Sequence, residues 1–548
     1  MSPAMKINKL YILILLFFGT YGCSSFLDTT PKDRVSDGLI WKDESRVTMY
    51  VNSFYPYIHD WGYFGNSQFA KNMTEGMTET LKYGSSAAGN RYGDANLYAM
   101  MPEKFSPDGG LLAGWGSAYT GIRRVNEFLV SLGKYSTLSP EKNKVFEAQA
   151  KFFRAFLYFQ LAKRHGGVIL YTDMDLQKDK DRSSAEDTWN LIASDLDFAA
   201  TALPIKWDQA NNGRVTKGAA FALKSRAMLY AERWEAAKVA ADSVIELGIY
   251  GLENSYANAT KGGNCEAILE YDYLATADGP NHDFDLYYAP YGDLDNLGGS
   301  AAPTQEMVEY YETKDGKAFD WSPWHISGGT TTRPNYESLE PRFQATVLYN
   351  GAQWKGKTME NCVDGISGRY MDYREDPYCK GRTTTGYYLK KFLDENNKSL
   401  QTLPSTTPTV EIRLAEVYLN RAEANFRLHN EGAALSDINI IRKRVNLPDK
   451  VGLSGNDLFN AIRRERTIEL CYEGHLYWDM RRWKRSHIEY NKYRVHGLRI
   501  TKDPVGYRFE YVDADLEDRK FDQRTYVLPV PQTEFTKNSL IRQYDEWK

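Results

Sequence analysis

Glu411-Ile-Arg-Leu-Ala-Glu-Val-Tyr-Leu-Asn-Arg-Ala-Glu-Ala-Asn-Phe-Arg-Leu-His-Asn-Glu-Gly-Ala-Ala-Leu-Ser-Asp-Ile-Asn-Ile-Ile-Arg-Lys-Arg-Val445 reads as two antiparallel helices joined by a short turn. Apolar residues at Ile412, Ala415, Leu419, Ala422 and Phe426 take alternating steps of three and four, the spacing of one buried helical stripe. His429-Asn430-Glu431-Gly432 interrupts the stripe with poor helix formers, and it resumes at Ala434, Ile438, Ile441 and Val445. Small residues at Ala415, Ala422, Ala424, Ala433 and Ala434 let two helix backbones approach closely.

The same construction occurs earlier in the chain. Ala220, Leu223, Ala227 and Tyr230 form one stripe, Arg233-Trp234 the turn, and Ala237, Ala240, Val244 and Leu247 the second stripe. Laying one copy on the other places Ala237 on Ala434 and Ala240 on Asp437, an echo of pattern rather than identity. Alanine-rich hairpins of about 34 residues are the tetratricopeptide signature, and such a pair buries its apolar face only by stacking on another. A helical bundle of another kind is the alternative.

The 548 residues suffice for a large core, and 42% hydrophobic with 26% charged residues is ordinary for a globular chain. A net charge of −4 provides no clustered basic surface for a nucleic acid. The 39 Tyr and 12 Trp are less ordinary, because many lie in Gly- and Asn-rich stretches that have no helical stripe. Rings on loops are costly to leave wet unless something docks on them.

Lys6 and Lys9 precede the apolar run Leu10 to Phe18, followed by Gly19-Thr20-Tyr21-Gly22-Cys23, the layout of an export signal over residues 1–22. The run falls short of the roughly 20 apolar residues that a spanning helix needs. Cys23 after Gly22 is similar to a lipoprotein cleavage site at which Cys23 takes the lipid, although Thr20 stands where that motif usually has Leu; plain secretion is the alternative. Residues 23–40 are polar and read as a tether. Cys265, Cys362, Cys379 and Cys471 show no CxxC pairs, so neither a zinc cluster nor a disulfide framework is indicated; a Cys362–Cys379 bridge and buried free thiols both stay open.

Residues 41–548 read as one domain in three parts. In 41–248, helices are expected over Trp41–Tyr57, Trp115–Leu132, Pro140–His165 and Glu186–Leu203, with long loops from Gly62 to Gly116. Part 249–408 is rich in loops, with strands expected over Ala267–Tyr273, Thr346–Tyr349 and Tyr387–Phe392. Part 409–548 holds the second helical block to Arg485 and an extended tail, with Tyr526–Pro531 as a strand or polyproline segment.

Several motifs, in one order along the chain, resemble the SusD/RagB family. They are Phe26-Leu27-Asp28 after Cys23; Trp115, Tyr119, Ile122 and Asn126; Arg154, Tyr158 and Leu161 with Gly166-Gly167; Arg214-x-Thr216-Lys217; Arg413 to Ala424; Asn439 and Arg442; Glu465-Arg466 to Glu473-Gly474; and Asp479 with Arg482-Trp483. Glu340-Pro341-Arg342 departs slightly, since many members carry Asp-Pro-Arg. The resemblance implies a mainly α fold with about four tetratricopeptide-like helix pairs, long irregular loops and a few short β-strands. It also implies an outer-membrane, cell-surface lipoprotein, held by lipid on Cys23, that binds oligosaccharides and sits as a lid on a SusC-like TonB-dependent transporter. A peptide-binding member and a purely structural lid are the alternatives.

No catalytic chemistry emerges from the spacing. Gly351-Ala-Gln-Trp-Lys-Gly356-Lys357-Thr358 satisfies the phosphate-loop pattern, yet such a loop must open a long helix, and Gly365 and Gly368 follow too soon. Arg463, Arg464, Glu465, Arg466 and Glu469 read as salt bridges and helix-to-helix hydrogen bonds rather than as a catalytic site. The eight histidines lack ligand spacing, no carboxylate pair stands out, and Asp293-x-Asp295-Asn296 reads as a solvated turn rather than a calcium loop, so no cofactor or metal is expected.

The expected ligand face is therefore aromatic. Sugars offer C–H faces to Trp and Tyr rings, and hydroxyls to Asn, Asp, Arg and Lys. One candidate set is Trp61, Tyr63, Phe64, Tyr83, Arg91, Tyr92, Asp94, Asn96 and Tyr98; the other is Tyr288, Tyr291, Asp293, Asn296, Trp321, Trp324 and His325. Trp321 and Trp324 lead the expectation, because Ser322-Pro323 between them should keep the segment extended with both rings outward.

Overall fold

The computed structural model describes residues 40–64, 73–83, 112–174, 179–276, 279–294, 297–372, 381–515 and 518–548. The main helices are α1 Glu44–Asn52, α2 Pro56–Trp61, α3 Trp115–Tyr135, α4 Pro140–His165, α5 Ala185–Ala202, α6 Lys217–Tyr230, α7 Trp234–Glu246, α8 Leu414–Arg427, α9 Glu431–Arg444, α10 Gly455–Glu469 and α11 Leu476–Arg482. Local signals set their ends. Ser139 accepts from Lys142 N and Pro140 opens α4, while Gly166 closes that helix at φ +72°. Ser184 and Thr216 cap α5 and α6 in the same way. The helix expected over Trp41–Tyr57 is broken in two at Ser53–Tyr55, and Pro56 starts the second piece.

From α3 to α9 each helix packs on the next, and α7 packs directly on α8 although more than 160 residues of chain lie between them. The internal repeat explains this. The register that lays Ala237 on Ala434 also lays the first residue of α6 on that of α8 and the first residue of α7 on that of α9. It lays Glu232 on His429 too, and these two turn residues share left-handed φ values of 57° and 60°. The two hairpins are thus one backbone unit used twice, and each buries the face that the other leaves open. One core gathers Val51, Ile122, Phe156, Ile192, Leu223 and Val417, and a second, on the far side of α8, gathers Leu419, Ile438, Ile441 and Ile462.

The strands are short and pair antiparallel. They are β1 Leu81–Tyr83 with β3 Ala301–Pro303, β2 Ala267–Tyr271 with β4 Thr409–Arg413, and β5 His496–Asp503 with β6 Gly506–Asp513. β4 corrects the reading of the opening stretch: Glu411–Arg413 lie opposite β2, with Arg413 facing Ala267, and the helix begins only at Leu414. Two further expectations shorten. Thr346 closes a helix begun at Pro341, leaving Val347–Leu348 as the strand, which pairs with Tyr388–Leu389. Tyr526–Pro531 is no strand; its Leu528 N–H donates to Arg164 O at 2.9 Å.

The Gly351–Thr358 stretch is a β-hairpin, Gln353–Trp354 against Lys357–Thr358. Its two-residue turn holds Lys355 at φ 46° and Gly356 at φ 76°, the double left-handed geometry of a type I′ turn. No helix opens there, so the backbone offers no helix N-terminus to a phosphate.

Residues 249–408 build a third core, of rings rather than aliphatic stripes. Tyr336 stacks on Tyr349 with centroids 4.5 Å apart, and the Tyr387 hydroxyl donates to Gln305 Oε1 at 2.6 Å. Tyr and Trp suit this task because each ring covers a large area while its polar tip reaches a loop carbonyl or amide.

Candidate functional site

Five residues of the expected platform, Trp321, Trp324, Tyr288, Tyr63 and Tyr83, lie inside that aromatic core. Trp321 and Trp324 are 5% and 6% exposed, contrary to the outward orientation expected of them. Ser322-Pro323 does not extend the segment: Trp324 N–H donates to Trp321 O at 3.0 Å, a turn that brings both indoles inward with centroids 5.7 Å apart. Trp324 Nε1 then donates to Thr332 O at 2.8 Å. Tyr288 is likewise buried, stacked on Phe284 at 4.1 Å.

The first candidate set divides. Tyr63 is buried, its hydroxyl accepting from Val410 N at 3.0 Å, and Tyr83 is buried with its hydroxyl on Met73 O at 2.7 Å. Trp61 is partly buried under the Arg164 guanidinium, 4.7 Å from its ring. Arg91, Tyr92, Asp94, Asn96 and Tyr98 lie outside the described residues, as do Asn296 and Cys23. His325 holds Glu309 Oε1 at 2.7 Å and stacks near Tyr511.

Tyr291, like Trp61, stays partly open, and the structure surrounds it with donors. The Arg369 guanidinium lies 4.7 Å from its ring centroid and donates through Nη1 to its hydroxyl at 3.3 Å. Arg382 approaches the same ring at 6.0 Å. Lys357, on the exposed arm of the hairpin, donates to Gly292 O at 3.3 Å. Asp293 accepts from Trp354 Nε1 at 2.7 Å and pairs with Lys355 at 3.2 Å, which fixes the hairpin beside Tyr291. Gly292 is required there, since a Cβ would meet Ser367 backbone atoms at 2.4 Å. A ring beside cationic forks and a lysine offers stacking area and several donors at once.

Arg369, Arg382 and Lys357 are not among the residues that the sequence assigns to the ligand face. The signal for the two arginines is position: they bracket residues 370–381, a stretch of sequence that shares the Tyr, Asp and Gly of the two candidate sets.

The family helices carry ion pairs, as read. Arg466 holds Asp479 at 2.6 Å, Arg463 holds Glu489 at 2.9 Å, and Glu465 and Glu469 both meet Arg342. Arg464 instead donates to Tyr310 O. Burial resists ionisation of Glu469, but Arg444, Arg413 and Arg342 outweigh it and hold the carboxyl well below the usual range.

Comparison with known proteins agrees with this architecture. The sequence model described as the SusD family matches residues 265–547, and one described as starch-binding associating with outer membrane matches residues 25–229. The SusD-like protein P25 of Formosa agariphila is 21% identical over 496 residues, 87% of this chain and 90% of that protein. A crystal structure of a SusD-like protein from Bacteroides fragilis superimposes with a TM-score of 0.77 at 27% identity, over 93% of this chain and 98% of that one. The surface glycan-binding protein A from Bacteroides thetaiotaomicron, solved in complex with laminarihexaose, gives a TM-score of 0.64 at 20% identity, over 91% and 99% of the two chains.

Proposed function

We propose a function from the premise that this chain belongs to the SusD family: it is a non-catalytic, cell-surface lipoprotein that captures oligosaccharides and passes them to a SusC-like TonB-dependent transporter. Lipid on Cys23 ties it to the outer membrane. The observation that carries the reading is the loop face around Tyr291, where a half-buried ring, two guanidiniums and Lys357 meet. Arg91, Tyr92, Asp94, Asn96, Tyr98 and Asn296 are proposed as the remainder of that face.

Shallow polar ligands bury little area, so single-site affinity is modest, and many tethered copies on one membrane raise the effective strength. Calorimetry of the lipid-free chain against glycan and peptide libraries tests the class of ligand. Heat with glycans is expected, and Tyr291→Ala or Arg369→Ala should weaken it by about tenfold each, about 1.4 kcal/mol. Heat with peptides alone would transfer the site to peptide capture, and release of reducing ends from a polysaccharide would make the protein an enzyme.

A further inference from the structure

A second cavity lies on the helical scaffold, between the C-terminal end of α4, the start of α5, the α6–α7 turn and α11. Its volume is about 550 Å³, within the roughly 300–1,000 Å³ range of small-molecule sites. Trp189, Tyr230 and Trp478 supply ring walls, and Lys163, Arg481 and Lys484 bring positive charge to it, with Arg233 and Arg482 beside them.

Three cations converge on the one buried indole of Trp478: Lys163 Nζ at 4.9 Å, Arg164 Cζ at 4.8 Å and Arg481 Cζ at 5.5 Å from its centroid. Lys484 sits 4.5 Å over Tyr526 at the rim. Among the described residues no carboxylate forms an ion pair with Lys163, Arg164, Arg233, Arg481 or Lys484. Arg164 is 5% exposed and has only the carbonyls of Leu112 and Gln160 and the Gln160 amide oxygen as acceptors. Arg481 is 3% exposed; it reaches the Tyr477 hydroxyl at 3.2 Å and Tyr526 O at 2.9 Å, and its buried Nε–H has no acceptor among the described residues. Glu186 and Glu232 stand exposed at the mouth; Arg233 donates to the Glu186 carbonyl at 3.4 Å, and Glu232 favours the charge of Lys484 without closing an ion pair with it. The neighbour Arg482 is different, since Glu423 and Asp479 neutralise it.

Buried cations ordinarily come with anions, because an unpaired charge in a low-dielectric setting costs several kcal/mol. The electrostatics register the shortage. Burial, and then the proximity of Arg481, pulls Arg164 down to about 9. Burial, and then Arg164, likewise holds Lys163 well below the ordinary lysine value, and the nearby carboxylates of Glu411 and Glu416 only partly offset this.

We infer that this cavity is a second binding site, specific for an oxyanion carried on a sugar: the carboxylate of a uronic acid or a sulfate ester. The anion meets the Lys163 and Lys484 ammoniums and the Arg233 guanidinium, with the charge of Arg481 behind them, and the pyranose ring lies against Trp189 and Tyr230. The site stands apart from the loop face at Tyr291, so the chain would discriminate charged from neutral glycans at a place separate from general capture.

Calorimetry of the lipid-free chain with glucuronate, glucose 6-sulfate, inorganic sulfate and glucose tests this. The two sugar acids should bind saturably and glucose should not. Arg233→Ala combined with Lys484→Ala, both away from the packed core, should lower sugar-acid affinity by at least about tenfold while leaving the unfolding midpoint in chloride unchanged. Midpoint shifts in sulfate count only as the difference between wild type and that variant, since sulfate stabilises folded proteins generally. Tyr291→Ala should leave sugar-acid binding intact. Absence of heat with all three anions, or affinity unmoved by the double substitution, overturns the site. Heat with inorganic sulfate but neither sugar acid overturns its assignment to a saccharide, and loss of binding in Tyr291→Ala would move it to the loop face.

Discussion

Two groups of buried cations sit in this molecule under opposite arrangements. In the first, where β2, β4, α9 and α10 meet the helix begun at Pro341, every cation has a carboxylate. Arg413 holds Glu266, Glu469 and Glu473; Arg342 holds Glu340, Glu465 and Glu469; Arg442 holds Glu312 and Glu465; Lys391 holds Glu473. In the second, around Trp478, Lys163, Arg164 and Arg481 have none among the described residues. Burial is similar in both, with Arg342, Arg413, Arg164 and Arg481 all at most 5% exposed. The contrast separates two uses of a buried arginine. Where its partners are all internal, the charge fastens parts of the fold together; where they are missing, the protein stays poised for an anion from outside.

The first network has a definite mechanical task. Glu266, Glu340 and Arg342 belong to the loop-rich insertion, whereas Arg442, Glu465 and Glu469 belong to the helical stack. The ion pairs therefore lock the insertion onto the second hairpin, in addition to the direct packing of α7 on α8. Arg413→Met should accordingly cost most: three carboxylates lose a shared partner in a dry setting, a loss of about 3–5 kcal/mol by denaturant titration. A loss under about 1 kcal/mol would mean that water or side-chain rearrangement takes over, and the distinction between the two groups would weaken.

The first network was partly legible in advance, and the second was not. The stripes at Ala220–Leu247 and Ile412–Val445 carried the repeat, because helical periodicity is a local property that a single chain displays. The density of Arg and Glu over 463–469 announced ion pairs, but their partners, Arg342, Arg442, Asp479 and Glu489, lie on other elements and were not legible in the local spacing. Trp321 and Trp324 misled because composition marks them as unusual while the inward turn depends on Thr332, Tyr336 and the ring core around them. Lys163 and Arg481 stand more than 300 residues apart, and a lack of anions is a three-dimensional fact with no signature in spacing.

Carboxylates divide in the same manner, and pH reads the division. Burial resists ionisation of Glu473, but Arg413 and Lys391 prevail and bring it down to about 2. Its contribution to stability is present above the ordinary glutamate value near 4.5 and disappears as pH falls through about 2. Glu75 accepts from amides, Gly474 N at 2.9 Å and His475 N at 3.1 Å, without an ion pair among the described residues, and burial pushes it up to about 7 against these bonds and the more distant Lys391. The folded chain then binds more protons than the unfolded one between about 4.5 and 7, so stability from this group is full below 4.5 and is lost as pH rises through 7. Glu75→Gln should remove that loss, stabilising the protein at pH 8 by up to about 3 kcal/mol relative to wild type and by almost nothing at pH 4. Equal effects at both pH values would mean that Glu75 titrates normally.

Arg481→Met should give the smallest change, and the comparison turns on it. Removing this side chain gives up two hydrogen bonds to neutral acceptors, about 1 kcal/mol each, and relieves an uncompensated buried charge of comparable cost. The two terms oppose, so without anion the stability should stay within about 1 kcal/mol of wild type, against the 3–5 kcal/mol expected for Arg413→Met. With glucuronate in excess the order changes: the wild type gains stability by mass action and the variant does not. A loss for Arg481→Met as large as that for Arg413→Met, unaffected by added anion, would make the Trp478 cluster structural, and the two groups of cations would then differ in composition but not in use.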